Sequence, residues 1–160
     1  MRSIGRLLGR RWVTLAFVGA VALALLIVLW PRGTPEQKVL RVLSAIAEAV
    51  ERKDVGGGLR HVSEDYHDSR GNTKLELTRL AWGGLREVGQ LSVVLYGPKV
   101  TVQGREATVQ VEVLVEEMKA GGPPPSIRTP VTVKLRKEGW RWQVVNAEGW
   151  QVAKDELEQG

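Results

Sequence analysis

Cysteine is absent from this chain of 160 residues, and only two histidines are present. Without cysteine, neither a disulfide nor a lipid-modified cysteine can hold the protein in place. Two histidines offer little to a zinc site, which usually draws on more histidine or cysteine ligands. The sequence also lacks a P-loop, a Gly-x-Ser-x-Gly elbow and a dinucleotide-binding glycine motif. No common catalytic signature is therefore present.

Charge is absent from one long stretch, the nineteen residues from Trp12 to Trp30. A helix of this length, rising about 1.5 Å per residue, spans roughly the 30 Å hydrocarbon core of a bilayer. Trp12 and Trp30 stand at its two ends, where tryptophan favours the membrane interface. The stretch predicts a transmembrane anchor at residues 12–30.

Acidic residues are missing before this stretch, whereas Arg2, Arg6, Arg10 and Arg11 precede it. Basic residues beside an apolar span favour the cytoplasmic side. We therefore expect residues 1–11 to be a cytoplasmic tail, with Arg10 and Arg11 at the membrane interface. The protein would then cross the cell membrane once and place its domain in the periplasm or outside the cell.

The formal net charge of +5 belongs mostly to that tail. The other 19 basic residues nearly balance all 18 acidic residues. A near-neutral domain argues against nucleic-acid binding, which depends on neutralising many phosphates. The basic and aromatic residues between Lys134 and Trp142 resemble a single-strand binding pattern, but simple strand alternation explains them equally well.

A cleaved signal peptide is the alternative interpretation of the apolar stretch. Ala22-Leu23-Ala24 has the small-x-small form of a cleavage site. Cleavage there would leave an apolar new N-terminus, LLIVLW. Arg10-Arg11 is also weakly similar to a twin-arginine export signal. We favour an uncleaved anchor because the apolar stretch is longer than a signal peptide requires.

Helix signals begin directly after a short linker at residues 31–34. Thr34 can cap a helix that has Pro35 in its first turn and Gln37 to complete a capping box. The apolar face of this helix repeats at helical spacing and consists of Val39, Leu43, Ile46 and Val50.

Glycines limit the next two helices. Three glycines at 56–58 allow only a short second helix through Leu59 and Val62. Thr73 to Glu76 form a second capping box that opens a third helix. Gly83 and Gly84 weaken the prediction for its second half.

After Leu91 the apolar period changes from 3.6 to 2, which indicates strands. Trp140, Trp142 and Val144 lie at alternate positions of one predicted strand, so we expect all three to face the core while Arg141 faces water. Helices followed by an antiparallel meander predict an α+β domain at residues 35–150, with a polar tail at 151–160. The predicted strands are 91–102 with a bend at Gly97-Pro98, then 107–115, 131–135 and 140–144.

The order of these parts resembles the NTF2-like superfamily, also called cystatin-like or SnoaL-like. The resemblance rests on the Lys53-Asp54 break, on Ser63-Glu64-Asp65-Tyr66-His67-Asp68 and on Gly139-Trp140-Arg141-Trp142. It implies a curved antiparallel sheet packed on about three helices, a cone-shaped α+β barrel with a pocket. Members of the superfamily include enzymes, ligand-binding proteins and membrane-tethered periplasmic domains.

The candidate pocket consists of Tyr66, His67 and Asp68, with Trp82 and Tyr96 as further lining. A His–Asp pair can act as a general base with an orienting carboxylate. The alternative is a polar turn in which Asp68 caps the backbone and Tyr66 packs under the sheet. Adjacent side chains in an extended turn diverge, so we expect no catalytic residue here.

The same segment also offers a candidate metal site. His61 and Asp65 are four residues apart and, with Glu64 or Asp68, could offer three ligands. The ligand set contains too little histidine for zinc, so we expect neither a metal nor a cofactor.

The function that these features favour is binding without catalysis. Leu114 breaks the polar side of the second long strand, which suggests that the outer face of the sheet is partly covered. The expected partners are the membrane and either a second copy through the sheet face, an envelope protein or a small apolar ligand. The alternatives are a tethered SnoaL-like enzyme and a folded spacer.

Overall fold

The computed structural model describes residues 33–118 and 126–150. The predicted tail at 1–11, the anchor at 12–30, most of the linker and the polar tail at 151–160 lie outside the described residues. Within the described ranges, no helix has the length and apolar character needed to cross a membrane. From Thr34 onward the described residues form a compact unit of their own. Its elements are α1 (Pro35–Glu51), α2 (Val55–Leu59), α3 (Lys74–Glu87), β1 (Gln90–Gln103), β2 (Glu106–Met118), β3 (Ser126–Glu138) and β4 (Arg141–Glu148).

Helix α1 begins at the predicted capping box. The Gln37 backbone N–H donates to the Thr34 hydroxyl at 3.3 Å, and the Thr34 N–H donates to the Gln37 side-chain carbonyl at 3.2 Å. Val39 and Leu43 are buried on its apolar face, and Ala49 is buried near its end. Both the start and the buried face of this helix are confirmed.

Helices α2 and α3 differ from the prediction in their extents. Asp54 caps α2 by accepting a hydrogen bond from the Gly57 N–H at 2.7 Å, so the glycines lie inside the helix. The helix ends before Val62, which forms a parallel bridge with Val144 instead. Helix α3 continues through Gly83 and Gly84 to Glu87, although none of its residues is fully buried.

The four strands form one antiparallel sheet in the order β1-β2-β3-β4. The predicted bend in β1 is a register shift between Tyr96 and Lys99, with Gly97 at φ +54°. The α+β class and the meander are therefore confirmed. The core lies between α1 and the inner face of the sheet, and its buried sheet residues are Ala107, Val109, Val111, Val131, Val133, Leu135, Trp142 and Val144.

The β4 edge of the sheet is covered by the segment that follows α2. The Val144 N–H donates to the His61 carbonyl at 2.8 Å, and the Ser63 N–H donates to the Val144 carbonyl at 2.9 Å. The His67 N–H continues the contact by donating to the Val145 carbonyl at 3.1 Å. These bonds satisfy edge groups that would otherwise be open to another strand.

One tryptophan prediction is wrong and another is confirmed. Trp142 is buried in the core, whereas 78% of Trp140 is exposed. The last strand pair is Glu138 with Arg141, so Gly139 and Trp140 form the turn itself. Strand parity ends before the turn and therefore does not determine the direction of Trp140.

Candidate functional site

Tyr66, His67 and Asp68 lie on segment 61–68, which a polar cluster fixes to the sheet. The buried Ser63 hydroxyl donates to Glu138 Oε1 at 2.7 Å and accepts from the Asp65 N–H at 3.1 Å. Arg136 Nη2 donates to Asp65 Oδ2 and to Glu138 Oε1, each at 2.6 Å. We call these four residues the Ser63 latch.

The latch makes part of the stability depend on pH. The hydrogen bond from Ser63, and then the one from Arg136, lower the pKa of Glu138 below its ordinary value of 4.5. A lowered folded pKa adds stability above the ordinary value, and this stability is lost as the pH falls through the folded pKa. We expect Glu138→Gln to have a lower Tm than wild type at pH 7 and the same Tm once the pH is below the folded pKa.

Thermal unfolding between pH 7 and pH 3 tests this expectation. Glu106→Gln serves as the control, because Glu106 is exposed and takes no part in the latch. A Tm difference for Glu138→Gln that stays constant across this range would contradict a contribution from the Glu138 charge.

Tyr66 is the buried member of the candidate set, with 2% of its surface exposed. Its hydroxyl and the Trp150 indole nitrogen are both buried, and neither has a hydrogen-bond partner among the described residues. Burial, and to a lesser extent the Asp68 charge, raises the pKa of Tyr66 to about 12, while the neighbouring Trp150 acts in the opposite direction. Tyr66 is therefore a neutral packing residue at pH 7.

His67 and Asp68 do not share a site. The His67 ring is exposed, with Nδ1 at 3.1 Å from the Asp65 carbonyl oxygen. Asp68 is 5% exposed, and its Oδ1 accepts from the N–H groups of Arg70 at 3.0 Å and Asn72 at 2.9 Å. Its Oδ2 accepts from the Asn72 side-chain amide at 2.8 Å. The Asp68 carboxylate thus organises the turn that leads to α3.

Trp82 and Tyr96 are both on the surface. Trp82 is 50% exposed on α3, with the Arg86 guanidinium 5.6 Å from its ring centre. Tyr96 is 42% exposed, with the Arg128 guanidinium 5.0 Å from its ring centre. The structure therefore does not bring the five candidate residues together in one cavity.

A cavity that the sequence did not predict lies among the three helices. Its volume is about 140 Å³, and no strand residue lines it. Asp54, its one charged neighbour, is already bonded to the Gly57 N–H. The pocket is partly open to solvent, so it is an apolar cleft rather than a sealed cavity. The lining residues are Ile46, Val50, Asp54, Val55, Gly58, Leu59, Val62, Leu77, Ala81 and Leu85.

The outer face of the sheet carries an apolar surface that we call the outer patch: Val94, Tyr96, Leu114 and Met118. These residues share a face because Val94 on β1 pairs with Leu114 on β2. Tyr96 lies two residues after Val94, and Met118 lies four residues after Leu114, so both point to the same side. Val94, Tyr96 and Met118 are 36%, 42% and 60% exposed. The sequence predicts an outer-face position for Leu114 alone, but the alternation of Leu91, Val93 and Leu95 on the opposite face of β1 also indicates one for Val94 and Tyr96.

An ion pair borders the outer patch. Arg128 Nε lies 2.7 Å from Glu112 Oε1, and the hydrogen bond from Arg128 lowers the pKa of Glu112. Beside the pair, the bend at Gly97 opens a groove of about 590 Å³ that also reaches Lys99. The patch is thus apolar along Val94, Tyr96 and Leu114, with the Arg128–Glu112 pair on one side and Glu116 on the other, between Leu114 and Met118.

The candidate metal ligands do not lie close enough together to form a site either. Asp65 is bound to Arg136 in the latch. Burial, then the positive charges of Arg60 and Arg141, lower the pKa of His61. Across residues 33–118 and 126–150, no three histidine or carboxylate side chains are close enough to hold a metal ion.

Comparison with known proteins identifies the fold. No family model and no curated protein matches the sequence. Among solved structures, an NTF2-like superfamily protein of Salmonella enterica superposes with a TM-score of 0.62 at 11% identity, covering 71% of this chain and 88% of that one. A protein from Novosphingobium aromaticivorans, proposed to be a scytalone dehydratase, gives 0.64 at 13% identity, with 71% and 80% coverage.

The association domain of Caenorhabditis elegans CaMKII gives a TM-score of 0.58 at 19% identity, covering 69% of this chain and 91% of that domain. These identities are low, so the three likenesses concern the fold alone. The described domain has the NTF2-like, cystatin-like fold that the sequence resemblance implied.

Proposed function

We propose that this chain is a single-pass membrane protein whose NTF2-like domain acts as a non-catalytic binding and assembly module outside the membrane. The outer patch is the observation that carries this proposal. Its exposed apolar side chains gain free energy when another surface covers them, at roughly 25 cal/mol per Å². A second copy of the domain is the occupant that we favour.

Three features support a second copy. A two-fold dimer places the same surface on both sides, so apolar centres meet, and the Arg128–Glu112 pairs lie at both margins. The association domain of CaMKII, whose name refers to association, has the same fold. The hydrogen bonds that cover the β4 edge leave the sheet face, rather than that edge, for contact.

The alternative is a tethered SnoaL-like enzyme or small-molecule binder that uses Tyr66, His67 and Asp68. Such an enzyme needs the imidazole and the carboxylate within hydrogen-bond reach of one substrate. Asp68 is buried and bonded to its own turn, whereas His67 faces solvent. This divergence favours binding over catalysis.

Leu114→Glu tests the assembly proposal. A charge at the centre of a buried apolar interface is costly, so we expect the mass of the fragment 34–160 to fall from dimer to monomer. The measurement is light scattering over a range of concentrations, with circular dichroism to confirm that the fold is unchanged.

Thr101→Glu is the matched control, because Thr101 lies on the same face but outside the outer patch. Its mass should equal that of wild type. A wild-type fragment that is monomeric at all concentrations would overturn self-association through this face.

A further inference from the structure

Two hairpin turns meet at one end of the sheet. Gly104 and Arg105 form the turn from β1 to β2, and Gly139 and Trp140 form the turn from β3 to β4. Arg105 donates from Nε at 3.2 Å and from Nη2 at 2.8 Å to the Lys137 carbonyl. The Lys137 N–H donates in return to the Arg105 carbonyl at 2.8 Å. The two turns therefore form one fixed surface.

Trp140 is the most exposed large hydrophobic side chain among the described residues, at 78%. The Arg141 guanidinium covers its ring at 4.3 Å from the centroid, a cation–π contact that leaves the ring edge facing solvent. An indole that is apolar on its faces and polar at its nitrogen is suited to the headgroup region of a membrane.

Positive charge is concentrated around this tryptophan. We call Arg105, Lys137, Trp140 and Arg141 the basic tip, because they lie in the two turns or directly beside them.

The acidic residues around the tip do not cancel its charge. The nearby acids are Asp65, Glu106 and Glu138, and the first and last of these are held by Arg136. The tip residues and Arg136 together supply four basic side chains against these three acids. The other described residues carry twelve basic and twelve acidic side chains, so the excess positive charge lies at this end.

We propose that the basic tip docks on an anionic lipid surface, with Trp140 entering the headgroup region. This proposal rests on the proposed membrane anchor, because only four residues, 31–34, separate the apolar stretch from α1. Four residues reach at most about 14 Å, so an anchored domain stays beside the bilayer. Each Lys or Arg near an anionic surface contributes about 1 kcal/mol, and the indole adds apolar contact.

Vesicle sedimentation of the fragment 34–160 tests the docking. We expect more protein to pellet with phosphatidylcholine vesicles that contain one-third phosphatidylglycerol than with phosphatidylcholine alone, and less as salt rises. Arg141→Ala should lower the partition coefficient about fivefold, the equivalent of 1 kcal/mol, and Trp140→Ala by a similar factor.

Trp82→Ala is the matched control, because Trp82 is also an exposed tryptophan with an arginine over its ring, but on α3. Its partitioning should equal that of wild type. Equal pelleting with both vesicle types, equal losses for Trp82→Ala and Trp140→Ala, or Trp140-dependent binding of a single-stranded oligonucleotide without vesicle binding would each overturn the proposal. The fragment lacks residues 12–30, so a failure of the anchor would appear separately, as release of the full chain from membranes by alkaline washing.

Discussion

Replacing Asp68 with alanine is expected to lower the free energy of unfolding by about 3 kcal/mol, since each hydrogen bond to a buried charged group contributes about 1.5–3 kcal/mol. The carboxylate accepts hydrogen bonds from the Arg70 and Asn72 N–H groups and from the Asn72 amide. Its loss leaves these donors without that acceptor in the turn that leads into α3. Denaturant unfolding followed by circular dichroism measures the change.

Two further variants separate a structural role for Asp68 from a catalytic one. Asp68→Asn keeps one carbonyl oxygen for the two backbone N–H groups, so it should recover part of the lost stability. His67→Ala should change stability by less than about 0.5 kcal/mol, because the His67 ring is exposed. An unchanged free energy of unfolding for Asp68→Ala would contradict the structural role that we assign to this carboxylate.

Replacing Gly149 with alanine is expected to lower the free energy of unfolding by about 3 kcal/mol, because a conformational and a steric penalty add. Gly149 has φ +96°, a left-handed conformation that favours glycine. A Cβ at this position would also overlap the carbonyl oxygen of Pro130, which belongs to the backbone of β3 and cannot simply rotate away. The end of β4 would then move from β3, disturbing the bond from the Thr129 hydroxyl to the Gly149 carbonyl.

Gly104→Ala isolates the conformational penalty from the steric one. Gly104 has φ +61°, but a Cβ there would meet nothing within 4 Å. We expect Gly104→Ala to lower the free energy of unfolding by about 1 kcal/mol. Equal losses of stability for the two variants, measured by chemical denaturation, would show that the close approach to Pro130 carries no energetic weight.

Segment 61–68 is part of the framework of the domain, because the Ser63 latch and the Asp68 turn hold it in place. Ser63, Asp65 and Asp68 are bonded in these two features. The surfaces that we propose for binding among the described residues are the outer patch and the basic tip, which lie on different parts of the sheet. A domain that contacts a second copy through one and a membrane through the other would hold its assembly close to the bilayer.

Local patterns in the sequence determined the class of the domain and most of its elements. The capping box at Thr34 places the start of α1, and the alternation of Ala107, Val109 and Val111 places the buried face of β2. Each of these signals involves residues within a few positions of one another, so tertiary contacts are not needed to interpret them. The predicted anchor at 12–30 is a signal of the same kind and stays a prediction.

The divergence of His67 and Asp68 follows from their adjacency in sequence, but only the tertiary structure decided which of the two side chains is buried and where Trp140 points. Trp140 shares the parity of the buried Trp142, yet it lies in a turn because Glu138 pairs with Arg141. Asp68 turns inward while His67 faces solvent because the His67 backbone is held by β4, far away in sequence. Both outcomes depend on pairings between distant strands and segments. Side-chain periodicity describes a strand only up to its last paired residue, and the register that sets this limit belongs to the folded sheet.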